Sequence, residues 1–296
     1  MANPYQLREP VTESADQVAP FSVNENGNAL HEVLRLLLGT IDVYNPTTDQ
    51  IVKLRSNEFR TEIANKSRPE KIVNLVLGPD VGLHDYIKIL NTVGLRNATF
   101  FRTVRSELVL CLLAKKQKRY TESFLYLYRI LEYVSVAFPM LYALSHQSFV
   151  GSHNFLKSIA LNGKEGDLKI LEKTIPILSA QGNLTNLTFD FCVEGIDVDC
   201  VSAIKNEITN CVKPAVPSLE FETEGDVLFR VPFDEMSVFF ATIRNRMFHY
   251  RLGEKNINWD RIGGSETICR MCGRELIYWF ALLYTEIIRV SGRQVS

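Results

Sequence analysis

Within the eight residues Ile243-Arg244-Asn245-Arg246-Met247-Phe248-His249-Tyr250 the chain places an arginine, an amide and a histidine. A histidine side chain gains or loses a proton near neutral pH, and an arginine carries a planar fork of donors that fits phosphate oxygens. Cutting RNA without a metal needs those abilities. A base must take the proton of the ribose 2′-hydroxyl, an acid must protonate the departing 5′-oxygen, and a cation must steady the charge at phosphorus. Few other stretches of the 296 residues look chemical.

The elements around this segment decide whether its side chains can meet. Met236, Phe240, Ile243, Met247 and Tyr250 recur at three- and four-residue steps, which predicts a helix with one apolar stripe that stops at Gly253. On a straight helix five residues turn through about 500°, so Arg244 and His249 point roughly 140° apart. Asn245 and His249 are four residues apart and share a face, which lets Asn245 orient the imidazole. The arginine joins them only if the helix bends or ends near His249, as Gly253 permits, or if a second molecule completes the site. A basic, aromatic helix end is also what a solvated terminus looks like, because cations suit the negative end of the helix dipole.

An Arg-x4-His arrangement after an apolar helical run resembles the signature of the HEPN superfamily, whose active members are metal-independent ribonucleases. A second segment, residues 122–133, looks like the earlier HEPN helix that packs against the motif helix. The resemblance covers about residues 97–292. It implies that Arg244 binds or polarises phosphate and that His249 acts in proton transfer, with Asn245 in place of the small polar residue that often follows the family's arginine. Arg129, Glu132 and Tyr250 are the expected supporting residues, Arg129 and Glu132 as an ion pair that positions the site. Charges spaced i,i+3 are equally often exposed and worth only a few tenths of a kcal/mol.

The family pattern further implies a homodimer in which two motifs face each other as one composite site, and a 2′,3′-cyclic phosphate product. Its members commonly serve in prokaryotic defence or toxin–antitoxin systems, which makes RNA the substrate and an antitoxin or sensor protein a possible partner. In the HEPN toxins paired with a nucleotidyltransferase antitoxin, a modified tyrosine lies two residues after the histidine. Here that place is held by Arg251, and Tyr250 directly follows His249, so that modification is not expected. The alternative is a non-catalytic HEPN-like module that binds RNA or a protein partner, or an unrelated helical adaptor.

Charge gives no global pull toward nucleic acid, since 33 Lys and Arg nearly balance 34 Asp and Glu. RNA contact must come from local patches. Arg246 lies within the motif and Arg251 just past it, and Lys115, Lys116, Lys118 and Arg119 cluster between two long helical patterns, where such a run also suits a solvated loop. Cys269 and Cys272 form a CxxC without a second pair at zinc spacing, His31, His84, His146 and His153 are scattered, and no phosphate-binding glycine loop is present. No metal and no cofactor is implied.

The expected fold is mainly α. A small N-terminal α/β module spans residues 1–95, and an HEPN-like helical bundle spans 96–296 with an insertion at about 151–231 that contains a β-hairpin. Residues 1–26 read as a loosely ordered lead-in with neither a secretory signal nor a transit peptide. Helices are predicted over 29–38, 58–64, 83–92, 97–118, 121–144, 153–161, 167–178 and 198–212, with a kink or break near Pro139. Hairpins are predicted at 41–54 and 219–231. Ser265 is the expected cap of the last helix, which runs to Gly292. The longest strongly apolar run, residues 276–284, is too short to cross a bilayer, which needs roughly 20 residues. With six cysteines read as reduced thiols, the expected location is cytoplasmic.

Overall fold

The computed structural model describes residues 5–10, 21–23, 27–61, 69–79, 81–144, 148–159, 167–182, 184–222, 225–249, 253 and 255–293. Among these the chain is mainly α, with ten α-helices and two three-stranded sheets. By its contacts it divides into two compact units, each discontinuous in sequence. One comprises Met1–Leu113, Met140–Ser158 and Phe280–Ser296, the other Ala114–Pro139 and Ile159–Trp279.

In the first unit β1 (Gln6–Arg8), β2 (Asp42–Asn45) and β3 (Gln50–Lys53) form an antiparallel sheet in that order, with Leu7 opposite Val43 and Val43 opposite Val52. The β2–β3 hairpin turns through Asn45, whose Oδ1 accepts from the Thr47 amide at 2.9 Å, and through Asp49 at φ 53°. The loosely ordered lead-in is corrected in part. Gln6–Arg8 is an edge strand, and Phe21 and Val23 are buried. Three residues are too few for their alternation to stand out in the sequence, and their partner lies far along the chain.

Every position of α1 (Ala29–Leu37) is buried. Asn28 caps it, accepting from the Leu30 amide at 3.1 Å while its own amide donates to the Leu90 carbonyl at 2.8 Å. Gly39 leads the chain away at φ 68°, where a Cβ would stand 2.6 Å from the Ser56 carbonyl oxygen. The helix expected over 58–64 is corrected: residues 58–59 form a turn, 60–61 are not helical, and 62–64 lie outside the described residues. Asn57 Oδ1 accepts from the Phe59 amide at 3.0 Å, and Arg60 sits at φ 56°, a conformation no right-handed helix holds. Unannounced by the sequence pattern, α2 (Pro69–Leu77) follows. Then come α3 (Leu83–Ile89), which continues into a π-helical turn at Leu90–Gly94, and α4 (Ala98–Lys116).

The second unit takes most of α5 (Tyr120–Leu144). This helix runs on past Pro139 to Leu144, where a kink or break is expected from the proline's missing amide. Phe138 and Leu141 are buried on either side, and their packing outweighs one lost hydrogen bond. By length and composition α5 is apolar enough to cross a membrane, which corrects the expectation that no segment is; 56% of its apolar window is buried inside the protein. α6 (Phe149–Ile159) falls almost wholly in the first unit; the second goes on with α7 (Asp167–Gly182), β4 (Thr188–Cys192), α8 (Val198–Cys211), β5 (Glu220–Phe221), β6 (Val227–Pro232), α9 (Met236–Phe248) and the first part of α10 (Ser265–Gly292), whose residues from Phe280 on belong to the first.

The expected hairpin is β5–β6, and β4 adds a third strand on the other side of β6. Phe191 pairs with Phe229 across the strands, their rings 4.7 Å apart, and Phe239 of α9 lies 4.8 Å from Phe191. On the next position of α9, Phe240 meets Phe124 at 4.8 Å and Tyr128 at 5.4 Å, both on α5. Aromatic rings thus fix α9 between the sheet and α5. Ser265, read as a cap, is instead the first residue of α10, and its Oγ lies 3.1 Å from Thr121 Oγ1. Beside it the Glu266 carboxylate accepts from the amides of Tyr120 at 2.7 Å and Thr121 at 3.2 Å, so the start of α10 caps the start of α5.

Candidate functional site

The motif helix ends at the histidine. The last helical residue of α9 is Phe248; His249 turns out at φ −112°, ψ 83°, its amide still donating to the Asn245 carbonyl at 3.1 Å. The reason lies in the returning chain. Ile257 donates its amide to the Arg246 carbonyl at 3.0 Å, taking an acceptor that another helical turn would have used. The next amide, that of Asn258, donates at 3.2 Å to the Glu207 carboxylate on α8, which anchors the return. The helix expected to run on to Gly253 therefore ends at Phe248. Tyr250 and Arg251 lie outside the described residues.

An ended helix is one of the two arrangements that the roughly 140° separation demands, because His249 no longer takes its direction from the helix axis. His249 is exposed. Arg244 is half-buried, with Cζ 4.6 Å from the centre of the Tyr128 ring and Nη1 donating to Asn245 Oδ1 at 3.1 Å. Its Nε is buried and meets no acceptor among the described residues. Asn245 is thus brought to Arg244 by its side-chain oxygen and to His249 by its backbone carbonyl.

Tyr128 is the residue that spacing within the motif could not find. It is 4% exposed and forms the surface on which the guanidinium rests. Burial pushes its hydroxyl up from the ordinary tyrosine value; Arg244 pulls the other way, and the charge of Glu132 adds to the rise. The available signal was its place four residues after Phe124, which puts both rings on the face of α5 that meets α9.

Arg129 and Glu132 are both exposed on α5. Of the basic run, Lys115 and Lys116 end α4, Lys118 turns the chain at φ 59°, and Arg119 pairs with Glu122 at 2.5 Å. Lys116, Lys118 and Arg119 are exposed, as a solvated turn requires. Cys269 and Cys272 are buried within α10; burial pushes the Cys269 thiol up to about 12 and that of Cys272 well up, so both stay protonated. Among the described residues no group of three or more His, Cys, Asp or Glu is placed to hold a metal ion.

A cleft of about 690 Å³ opens where α9 ends, a size typical of small-molecule sites. Its floor is apolar, with Met247 and Ile257 at 6% and 4% exposure. Its walls include Phe248 and Trp259, rings 5.8 Å apart and steeply inclined, and Arg246 and Asn256 also line it. Trp259 begins a 3-10 turn (Trp259–Ile262) capped by Asn258, whose Oδ1 accepts from the Asp260 amide at 3.1 Å. Trp259 lies outside the motif; a tryptophan between the polar residues Asn258 and Asp260 is the signal in the sequence that marks it.

No model of a known protein family matches the chain, and neither does any curated protein or solved structure.

Proposed function

We propose that this protein is a metal-independent endoribonuclease of HEPN type, in which Arg244 holds phosphate and His249 moves the proton. The observation that carries the reading is the end of α9 at His249. It leaves an exposed imidazole one residue past the helix, with Arg244 on the preceding turns resting on Tyr128. In the proposed reaction a histidine takes the proton of the 2′-hydroxyl and the freed oxygen attacks phosphorus. The bond to the 5′-oxygen breaks, and that oxygen receives a proton as it leaves, giving a 2′,3′-cyclic phosphate. Arginine's fork steadies the equatorial oxygens.

Since each chain carries one such histidine, the base and the acid come from two copies, and the proposal includes a homodimer with a composite site. It extends to a cytoplasmic role in prokaryotic antiphage defence or as the toxin of a toxin–antitoxin pair, held silent by a partner protein.

The test is purified protein incubated with total RNA in EDTA. Wild type should cut, and Arg244→Ala and His249→Ala should each lose about a hundred-fold or more. Equal cleavage by all three eliminates this site. Light scattering at micromolar concentration tests the assembly: a strict monomer removes the composite version. The engagement of Arg244 with Tyr128 and Asn245 favours a second reading, a non-catalytic module in which the arginine is structural. RNA left intact by wild type would select it.

A further inference from the structure

We propose that the cleft at the end of α9 holds one nucleobase of a single RNA strand, with Trp259 as its stacking platform. The inference rests on the ribonuclease reading above and adds to it the feature that seats the strand. Three observations support it.

Shape and surface come first. Trp259 is 41% exposed, unlike Trp279, the chain's other tryptophan, which is 1% exposed. An exposed indole beside a cleft, braced edge-to-face against Phe248 at 5.8 Å, offers a flat apolar surface already fixed in place. Every base has a π-face, so such a platform accepts bases without regard to sequence.

The polar lining comes second. Asn256 lines the same cleft and brings a side-chain amide to its wall, although the carbonyl oxygen of that amide is itself buried. Arg246 lines the cleft too and is the cation a phosphate would meet there, while the exposed residues that adjoin the lining in sequence are one of each sign, Lys255 beside Asn256 and Asp260 beside Trp259. A purely hydrocarbon ligand has no use for these groups.

Position comes third. Phe248, one wall of the cleft, directly precedes His249 and lies four residues after Arg244, on the same side of α9. A ring series runs from Tyr128 under Arg244, through Phe240 and Phe124, to Phe248 and Trp259. The backbone that forms the cleft is pinned by the Ile257 amide to α9 and by the Asn258 amide to Glu207, so the platform exists before a ligand arrives.

The probe is a short single strand of 2′-O-methyl RNA, which cannot be cut because the attacking hydroxyl is blocked. Its binding is read by fluorescence anisotropy and by quenching of tryptophan emission, where the buried Trp279 contributes little change. Wild type should bind with quenching, Trp259→Ala should bind about ten-fold more weakly, and Trp259→Phe, which keeps a stacking ring, should stay within about three-fold of wild type. Quenching in the unaltered protein provides a readout that no folding defect can mimic. Binding by Trp259→Ala at wild-type strength, or wild-type binding without quenching, overturns the proposal. So does a free mononucleotide that quenches as tightly as the strand, because the cleft would then be a nucleotide site. A protein that binds the strand through Trp259 but cuts no RNA keeps the cleft and loses the ribonuclease reading. One that cuts RNA while Trp259→Ala binds normally does the reverse.

Discussion

Two short helices of this protein each carry a histidine and an arginine within about one turn and a half, and they use them in opposite ways. On α1, His31 and Arg35 are each 2% exposed. His31 Nδ1 lies 3.0 Å from the Tyr86 hydroxyl, and burial, with the charge of Arg35 behind it, pulls the imidazole down to about 3. The Arg35 guanidinium is committed to Glu9 at 2.5 Å, the Thr40 carbonyl at 2.8 Å and Thr40 Oγ1 at 3.1 Å. On α9, His249 is exposed at a helix end, and Arg244 rests on a ring with its Nη1 on a neighbouring amide. Residue type and spacing nominate both pairs. Burial removes the first, since a histidine that protonates only near pH 3 cannot cycle a proton near neutrality and a saturated arginine has no donor for a phosphate.

The sharpest way to break this contrast is to exchange the two histidines for alanine. His249→Ala should cut RNA cleavage by about 10²–10⁴-fold while shifting stability by no more than about 0.5 kcal/mol, because an exposed side chain holds little packing. His31→Ala should do the converse and cost about 2–4 kcal/mol, since it opens a hole and strands the buried Tyr86 hydroxyl. Urea unfolding and gel-based cleavage on the same preparations read both. A stability loss at His249 equal to that at His31 would erase the distinction.

A second measurement sharpens the buried side. In an unfolded chain an imidazole protonates near pH 6.5, but His31 in the fold waits until about pH 3. Between those values the unfolded state binds more protons, so the contribution of His31 is whole above pH 6.5 and is lost as pH falls toward 3. At pH 4.5 it should be down by roughly 2–3 kcal/mol. His31→Gln has no group that titrates there, so the gap between its urea midpoint and that of wild type should narrow on acidification. A constant gap from pH 7 to 4.5 would show that His31 is not held neutral.

The same contrast explains how far sequence carries. The amphipathic repeats of α4, α5, α9 and α10 announce themselves because each packs one long face, and the turn residues Asn45 and Gly225 mark the two hairpins. What escapes is anything fixed by a distant partner. Gln6–Arg8 becomes a strand only because β2 is beside it, and residues 58–61 lose their helix to Asn57 and to the positive φ of Arg60. For the site, the one-dimensional motif contains Arg244, Asn245 and His249. It does not contain Tyr128, brought in from α5, nor Ile257, whose amide takes the Arg246 carbonyl where α9 ends. Position within a helix is legible in a single chain; the end of a helix is decided by whatever competes for its last carbonyls.

The smallest effect concerns whether Arg244 is placed for chemistry or for packing. Arg244→Lys keeps the positive charge but loses the planar group centred 4.6 Å from the middle of the Tyr128 ring and the fork whose Nη1 bonds Asn245. Its cost in stability should be about 0.5–1 kcal/mol, the worth of a partly exposed cation–π contact. If Tyr128 only braces the helix, Tyr128→Leu should lose a similar amount of stability and leave cleavage as it was. If Tyr128 is a positioning residue, Tyr128→Leu should lower kcat with KM nearly constant, because a loosened guanidinium is missed most when charge builds at phosphorus. Arg244→Lys should then show the same kcat loss, and combining the two changes should add little to either alone. Fully additive losses in kcat would mean that the ring and the cation act separately, and the contact of Arg244 with Tyr128 would belong with the buried network of α1 rather than with the exposed histidine.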